Sequence, residues 1–572
     1  MQRHRALLKA RVAYKSFEFA TEYFMPTVAR ALNGAPIDEI DDEEADRPLR
    51  PAEGLQVIAG LLDSLARPGA RDAVQRELSS ARSAIQRARQ VTLAYRYSDT
   101  QLFAAVREEI ARVTALGLTG IDAHDDADLA RELDAALEGV AAVLQAYAPP
   151  ASATALDTAW TRADRTVRAA RQALQMGSDR TSSESPLIDD RLALLVQHLR
   201  PMALAVDDLR VARQIEPVRR DLPWRASAAS IMETDALNPM AFAHASAMAP
   251  SPARIALGAR LFHDVRLSGA GTRSCAFCHD PARSFTDGRT RAQLLPPSNR
   301  PTVGQLTHPV RNTPTLLNAA LSPSQLADGR VAFLEDQVVT VVHDQREMAG
   351  DLTRAAAAMQ RSGDDRQAFA MAFGEAGDST VTPRRVSAAL AAYVRSLAQF
   401  NAPFDRFVRG DSLAMSAEAQ RGFSVFMGKA RCGTCHVMPT FSGVAAPRFD
   451  RAEYEVIGVP SHTNRRRIDD DRGRGAVVGN RLLEHAFRTP SLRDVARTAP
   501  YMHNGVFASL RDVVDFYDAG GGRGMGLHVP NQTLPADSLH LTASEKQALI
   551  AFMGSLSSPP TAARPIAGPP DA

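Results

Sequence analysis

Two short runs constrain what this chain can fold around: Cys275-Ala-Phe-Cys-His279 and Cys432-Gly-Thr-Cys-His436, which together use all four cysteines of the sequence. A Cys-x-x-Cys-His run is the attachment signature of a c-type haem. The two thiols add across the haem vinyl groups, and the adjacent histidine becomes the proximal iron ligand. Two competing readings use the same cysteines, a structural zinc site and a redox dithiol. Neither needs a histidine directly after both second cysteines, and no strand–helix pattern of thioredoxin type surrounds either run. The pattern points to two covalently bound haems, one on Cys275, Cys278 and His279 and one on Cys432, Cys435 and His436.

At 572 residues the chain exceeds what one core can organise, and about three domains are expected. A net charge of +2 argues for no particular partner, no nucleic-acid partner is expected, and no run of eighteen or more apolar residues supports a membrane span. Covalent haem attachment implies the periplasm. A secretory leader is then expected, yet the basic start Met1–Arg11 meets no apolar stretch before Tyr14. The expectation is a leader already removed, or a start assigned too late.

The expected fold is mainly α: an N-terminal helical bundle followed by two tandem cytochrome c-like helical haem domains. Residues 1–215 carry helical spacing in Val74, Leu78, Ala81, Ile85 and Ala88, in Val106, Ile110 and Val113, and in Leu133, Leu137, Val140 and Leu144. The aromatic group Tyr14, Phe17, Phe19, Tyr23 and Phe24 reads as core, and the acidic run Asp38–Asp46 as a solvated loop. Residues 216–250 read as a linker, and 561–572 as a disordered tail.

Between them lies an internal duplication, with one haem domain over 251–410 and the other over 411–560. Ile255–Phe262 and Ala419–Phe426 precede the two haem runs as short helices. Phe285-Thr-Asp-Gly288 and Phe441-Ser-Gly443 follow them. Arg311-Asn-Thr-Pro-Thr-Leu316 is echoed by Arg488-Thr-Pro-Ser-Leu492. Asp328-Gly329 and Asn504-Gly505 then each open a helix.

The halves differ at one informative position. Setting Gly329 on Gly505 places Leu334 on Leu510, Asp336 on Asp512 and Val341 on Tyr517. A tyrosine on a helix crossing the distal face of a haem can ligate iron through its phenolate, whereas a valine cannot. The first haem is then expected to be open for a small oxidant and the second closed; the other reading of Tyr517 is a packing tyrosine. Cleaving an O–O bond needs a group that moves a proton between the oxygens. The candidates near the open site are Gln337, His343 and Glu347.

These residues resemble the bacterial di-haem cytochrome c peroxidase and MauG family over residues 251–557. The resemblance rests on both haem runs, Arg311-Asn-Thr-Pro, Asp328-Gly-Arg330, Glu347-Met348 and Thr498-Ala-Pro-Tyr-Met-His-Asn-Gly505. It implies that Gln337 and Glu347 handle peroxide at the first haem. It also implies that Asn312, with the carbonyls of Thr498 and Pro500, holds one calcium ion. Tyr517 falls where peroxidases place a methionine ligand and MauG a tyrosine. Three features depart from the family. Ala327 stands where a tryptophan usually lies between the haems. Gly304 stands where resting peroxidases place a distal histidine, with His308 nearby. The long N-terminal helical region is absent from the simplest members.

Three activities follow as expectations. The first is a periplasmic peroxidase reducing hydrogen peroxide with electrons from a small cytochrome c or cupredoxin. The second is MauG-like oxidation of Trp or Tyr side chains of a partner protein. The third is a non-catalytic electron-transfer module.

Overall fold

Helices form where the sequence supplies both a start signal and an apolar face. The computed structural model describes residues 2–34, 39–40, 49–121, 123, 126–150, 157–178, 190–218, 223–296, 310–374, 380–464 and 467–559. These are mainly α-helical, and their only named strands are two antiparallel pairs of two-residue segments. Helix starts carry the expected side chains. Ser98 closes a capping box with Gln101, Ser251 caps a helix that begins at Pro252, and Thr382 caps one that begins at Pro383. Each such cap contributes about 1 kcal/mol.

Two compact units result, and they do not follow chain order. The first comprises Met1–Ala236, Arg406–Pro439 and Ala445–Arg448. Its helices Asp99–Ala115 and Asp126–Gln145 bury Val106, Ile110, Val113, Leu133, Leu137, Val140 and Leu144, as their spacing predicts. Helix Ala70–Ala94 departs from expectation. Ala81, Ala84 and Ala88 are buried, whereas Leu78 and Ile85 are 41% and 55% exposed. The alanine face forms one core with Val28, Ala31 and Leu32 of helix Pro26–Asn33, and Tyr14, Phe17 and Phe24 pack against it. Three buried cations face three buried carboxylates here: Arg11 with Glu132, Lys15 with Glu18, and Arg112 with Glu109 and Glu18. Their charges cancel, as burial requires.

The segment 216–250 is irregular, but Trp224, Ile231, Met232 and Ala236 are buried. The Arg107 guanidinium lies 3.3 Å over the Trp224 ring. Within this unit the chain around the second haem run is tied to the N-terminal helices. Arg448 donates to the Glu22 carbonyl at 3.1 Å, and Arg409 to that of Met232 at 3.4 Å.

The second unit comprises Leu237–Asp405, Thr440–Val444 and Phe449–Ala572. Helices Pro252–Phe262 and Pro383–Arg395 cross at Gly258, where any Cβ would strike the Ala389 carbonyl. That approach seals a core containing Leu261, Phe262, Met359, Phe369, Val386 and Leu390. The duplication is visible in the backbone. Helices Leu334–His343 and Leu510–Asp518 start at the aligned leucines. Before each comes a left-handed glycine, Gly329 at φ 65° and Gly505 at φ 67°. Each glycine sits inside an antiparallel bridge, Gln325 with Val331 and Tyr501 with Phe507. Upstream, the 3₁₀ turns Ala319–Leu321 and Val495–Arg497 match in the same way. Gly304, His308, most of the acidic run and the tail 561–572 lie outside the described residues.

Candidate haem sites

Each Cys-x-x-Cys-His run is wound into one 3₁₀ turn, Cys275–Phe277 and Cys432–Thr434. The turns agree bond for bond. Cys278 N–H donates to the Cys275 carbonyl at 3.3 Å and His279 N–H at 2.9 Å, and Cys435 and His436 donate to Cys432 at the same distances. None of the four cysteines is in a disulfide. Burial pushes the Cys275 and Cys432 thiols up to about 12. Cys278 is pushed up to about 11 by burial, then by Asp287 and Glu347. Burial thus favours the protonated form of these three, the opposite of the depressed thiolates of a redox dithiol. Among the described residues, the only cluster of three His, Cys, Asp or Glu close enough to share a metal ion is Asp469, Asp471 and His503, which contains no cysteine.

The first histidine is oriented for ligation. His279 Nδ1 lies 3.1 Å from the Phe285 carbonyl. A carbonyl only accepts, so Nδ1 carries the proton and Nε2 is left as the ligand atom. Burial holds the ring below its ordinary value, favouring the neutral form that binds metal. The donor set therefore fits a haem iron. The Phe285 carbonyl is itself aimed by an unusual backbone: Ser284 and Phe285 are left-handed, with φ 53° and 60°. Thr315 Oγ1 donates to the Ser284 carbonyl at 2.6 Å. The second half repeats the device, with Phe441 at φ 52° and Ser491 Oγ donating to the Thr440 carbonyl at 2.6 Å. The repeated Thr-Pro-Thr and Thr-Pro-Ser segments thus clamp the turns that follow the haem runs. Sequence alone paired these segments without giving their purpose, because the bonds span 31 and 51 residues.

Of the proton-transfer candidates, Gln337 is half-buried in helix Leu334–His343. Glu347 is half-buried in the loop beyond it, held by Met348 accepting from Gly269 N–H at 2.9 Å and by Gly350 N–H donating to Val342 at 2.7 Å. Burial, with Asp344 adding to it, pushes Glu347 up to about 7, against the pull of Arg330 and Arg346. Its charge adds, after burial and Asp287, to the upward push on the Cys278 thiol. His343 is exposed, and its Nε2 accepts from Leu352 N–H at 3.4 Å, a structural task.

Asn312 N–H donates to the His503 carbonyl, and Asn312 Nδ2 to the Arg289 carbonyl, both at 2.7 Å. The amide oxygen is therefore the atom left to face a cation. This ties the Arg311–Leu316 segment to Thr498–Gly505, which contains Thr498 and Pro500. Tyr517 is half-buried in the last turn of its helix, edge-on to Phe516 at 5.6 Å, while its counterpart Val341 packs on the apolar core. At Ala327 the carbonyl accepts from Arg488 N–H at 2.8 Å. Tyr454 comes close there, its hydroxyl 2.8 Å from Ser324 Oγ.

A polar network escaped the sequence reading. Asp328 accepts from Arg311 at 2.6 Å and Arg330 at 2.8 Å, and Arg311 grips Asp471 through two bonds of 2.7 and 2.9 Å. Asp469 accepts from Asn504 and Arg291 and lies 3.3 Å from His503 Nε2; burial pushes its carboxyl up, but the bonds with His503 and Asn504 outweigh that and hold it well below the usual range. The acidic triple Asp469-Asp470-Asp471 was the available signal.

Fold and turns together define a helical protein with two Cys-x-x-Cys-His turns of matching backbone. A sequence profile of di-haem cytochrome c peroxidases matches residues 252–413. Methylamine utilization protein MauG of Methylophilus methylotrophus is 37% identical over 306 residues, covering 52% of this chain and 81% of that protein. Cytochrome-c peroxidase IdrP2 of Pseudomonas sp. (strain SCT) is 34% identical, covering 55% and 84%. Cytochrome c551 peroxidase of Nitrosomonas europaea is 30% identical, covering 47% and 74%. A crystal structure of a MauG-like protein associated with microbial copper homeostasis aligns at 27% identity and TM-score 0.46, covering 55% of this chain and 94% of that one. The chain belongs to the di-haem cytochrome c peroxidase and MauG family, and is a haem-dependent oxidoreductase with two haem groups. That sets aside the non-catalytic reading. Among the described residues, no helix is long and apolar enough to cross a membrane.

Proposed function

We propose that this protein is a periplasmic peroxidase that reduces hydrogen peroxide to two waters, drawing two electrons from a small cytochrome c or cupredoxin. The observation that carries the reading is Glu347, a half-buried carboxyl at about 7 that acts electrostatically on the first haem turn. Cys275, Cys278 and His279 would hold one haem covalently, and Cys432, Cys435 and His436 the other, for which Tyr517 would be a further iron ligand. When bound, the first haem supplies the iron that takes oxidising equivalents from peroxide, and the second stores and passes on an equivalent.

The remaining chemistry belongs to side chains. At neutral pH Glu347 is divided between its two forms, so it takes a proton from one peroxide oxygen and returns it to the departing one. Gln337, whose side-chain amide has no hydrogen-bond partner among the described residues, orients the peroxide. Asn312, with the carbonyls of Thr498 and Pro500, would hold one calcium ion. Haem c is attached outside the cytoplasm, which supports the periplasmic location.

Tyr517 favours a second reading, MauG-like oxidation of a partner protein's Trp or Tyr, because an anionic phenolate ligand stabilises high oxidation states; Ala327 speaks against it. An EPR spectrum of the oxidised protein before and after one equivalent of peroxide tests both. The peroxidase reading expects one high-spin and one low-spin haem and rapid turnover with a reduced donor. Two low-spin haems and no turnover would refute it. A persistent oxidised state formed without prior reduction would favour the second.

A further inference from the structure

Helix Ala70–Ala94 runs for 25 residues and is anchored through its alanine face. The side left open is neither polar throughout nor random. Leu78 and Ile85 are exposed there, and so is Leu93, at 78%. Arg71, Arg82 and Arg89 are exposed as well. Steps of three, four and seven residues place Arg71, Leu78, Arg82, Ile85, Arg89 and Leu93 along one side of the helix. At 1.5 Å of rise per residue, that stripe is about 33 Å long.

Its charge is of one sign. Residues 64–97 contain seven arginines and two acids, Asp72 and Glu77, whereas the whole chain carries only +2. All seven arginines are exposed, and among the described residues none forms an ion pair. Neither acid lies in the stripe. Glu77 comes four residues before the buried Ala81 and belongs to the alanine side, and Asp72 is turned by about 100° from Arg71. Burying the exposed leucines and isoleucine therefore requires a cover that also answers unpaired guanidinium groups. A carboxylate matches the guanidinium fork, and apolar anchors seven residues apart are what a helix lays into a groove.

We propose that the stripe from Arg71 to Leu93 is the docking surface for an acidic protein partner, one with an apolar groove rimmed by carboxylates. Leu78 and Ile85 would fill the groove, and Arg71, Arg82 and Arg89 would meet its rim. A second copy of this chain fits poorly, because a two-fold contact sets the same arginines against one another. A lipid surface needs a broad apolar face to insert, yet the residues next round the helix are Gln75, Ser79, Gln86 and Gln90. The N-terminal helical region would thus add recruitment of a partner to the haem-bearing chain, whatever that partner exchanges with the haems.

The test uses the full-length, haem-loaded protein and a synthetic helical peptide that carries leucines at helical spacing flanked by glutamates. Its scrambled isomer of equal charge, and vesicles of anionic phospholipid, serve as rival ligands. The patterned peptide is expected to bind more tightly than the scrambled one, and to weaken as salt rises towards ~0.15 M. Arg82→Glu and Arg89→Glu should each weaken it by about tenfold, as should Ile85→Ser, with haem absorbance and melting temperature confirming an intact fold. Arg82→Gln and Arg89→Gln serve in place of any glutamate variant that fails to fold. Arg76→Glu and Arg87→Glu, on another side of the same helix, should leave binding unchanged. Equal binding of the two peptides, equal losses from Arg76→Glu and Arg87→Glu, or tighter binding to vesicles would each overturn the proposal. So would binding that appears only after the acids of residues 38–46 are replaced by their amides, because this chain's own acidic run would then be what covers the stripe.

Discussion

Replacing Glu347 with Gln removes one titrating oxygen while keeping shape and volume, and it should separate activity from stability. Burial raises this carboxyl from 4.5 to about 7. At about 1.4 kcal/mol per pH unit, ionising it in the folded protein costs roughly 3 kcal/mol more than in the unfolded chain. The sign follows from proton counts. Between pH 4.5 and about 7 the folded state keeps a proton that the unfolded state has lost, so stability falls as pH rises through that window and levels off above it. Glutamine has no such penalty. The variant should therefore unfold less readily than the parent at alkaline pH, by up to that amount, and its stability should change less across the window. Activity should move the other way. Peroxide turnover by the parent should climb as pH rises through about 7 and Glu347 ionises, and the variant should lose about 10²–10⁴ in rate together with that climb. Stopped-flow peroxide reduction and thermal melts over a pH series read both quantities. A Gln variant with full activity, or one with the same rising limb, would refute the assignment of Glu347 as proton carrier.

Tyr517→Phe should leave two haems by pyridine haemochrome assay but convert the low-spin EPR signal of the second haem; an unchanged spectrum would make Tyr517 a packing residue. Calcium chelation should lower peroxidase activity and calcium should restore it, with Asn312→Ala reproducing the loss; a chelated protein of full activity excludes the ion. Thr315→Val should cost about 0.5–1.5 kcal/mol in thermal unfolding by freeing the Ser284 carbonyl, and should shift the optical spectrum of the first haem, since the turn that aims Phe285 at His279 is loosened. An unaltered spectrum would show that the clamp does not reach the histidine.

Chemistry written in contiguous residues was legible from sequence, and chemistry written across loops was not. The two Cys-x-x-Cys-His runs and the pairing of Leu334 with Leu510 follow from local motif and repeat, although the helices open at those leucines and not at Gly329 and Gly505, whose left-handed backbone turns the chain first. The Thr315 and Ser491 clamps and the Arg311–Asp328–Asp471 chain join residues far apart in sequence, and no periodicity records such bonds. Helix Ala70–Ala94 misled for another reason. Its stripe joins Leu78 and Ile85 to Ala81 and Ala88, and spacing does not say which of them is covered. Close packing against helix Pro26–Asn33 instead selected the alanines.

The discontinuous first unit also bears on how the molecule is made. A ribosome completes residues 1–236 long before it reaches 406–448, and only then are all parts of that unit present. The usual rule that an N-terminal domain finishes first does not describe this unit, whose last contacts join its earliest segment to residues made much later. Arg409 and Arg448 reach the Met232 and Glu22 carbonyls only after the first haem turn has been synthesised.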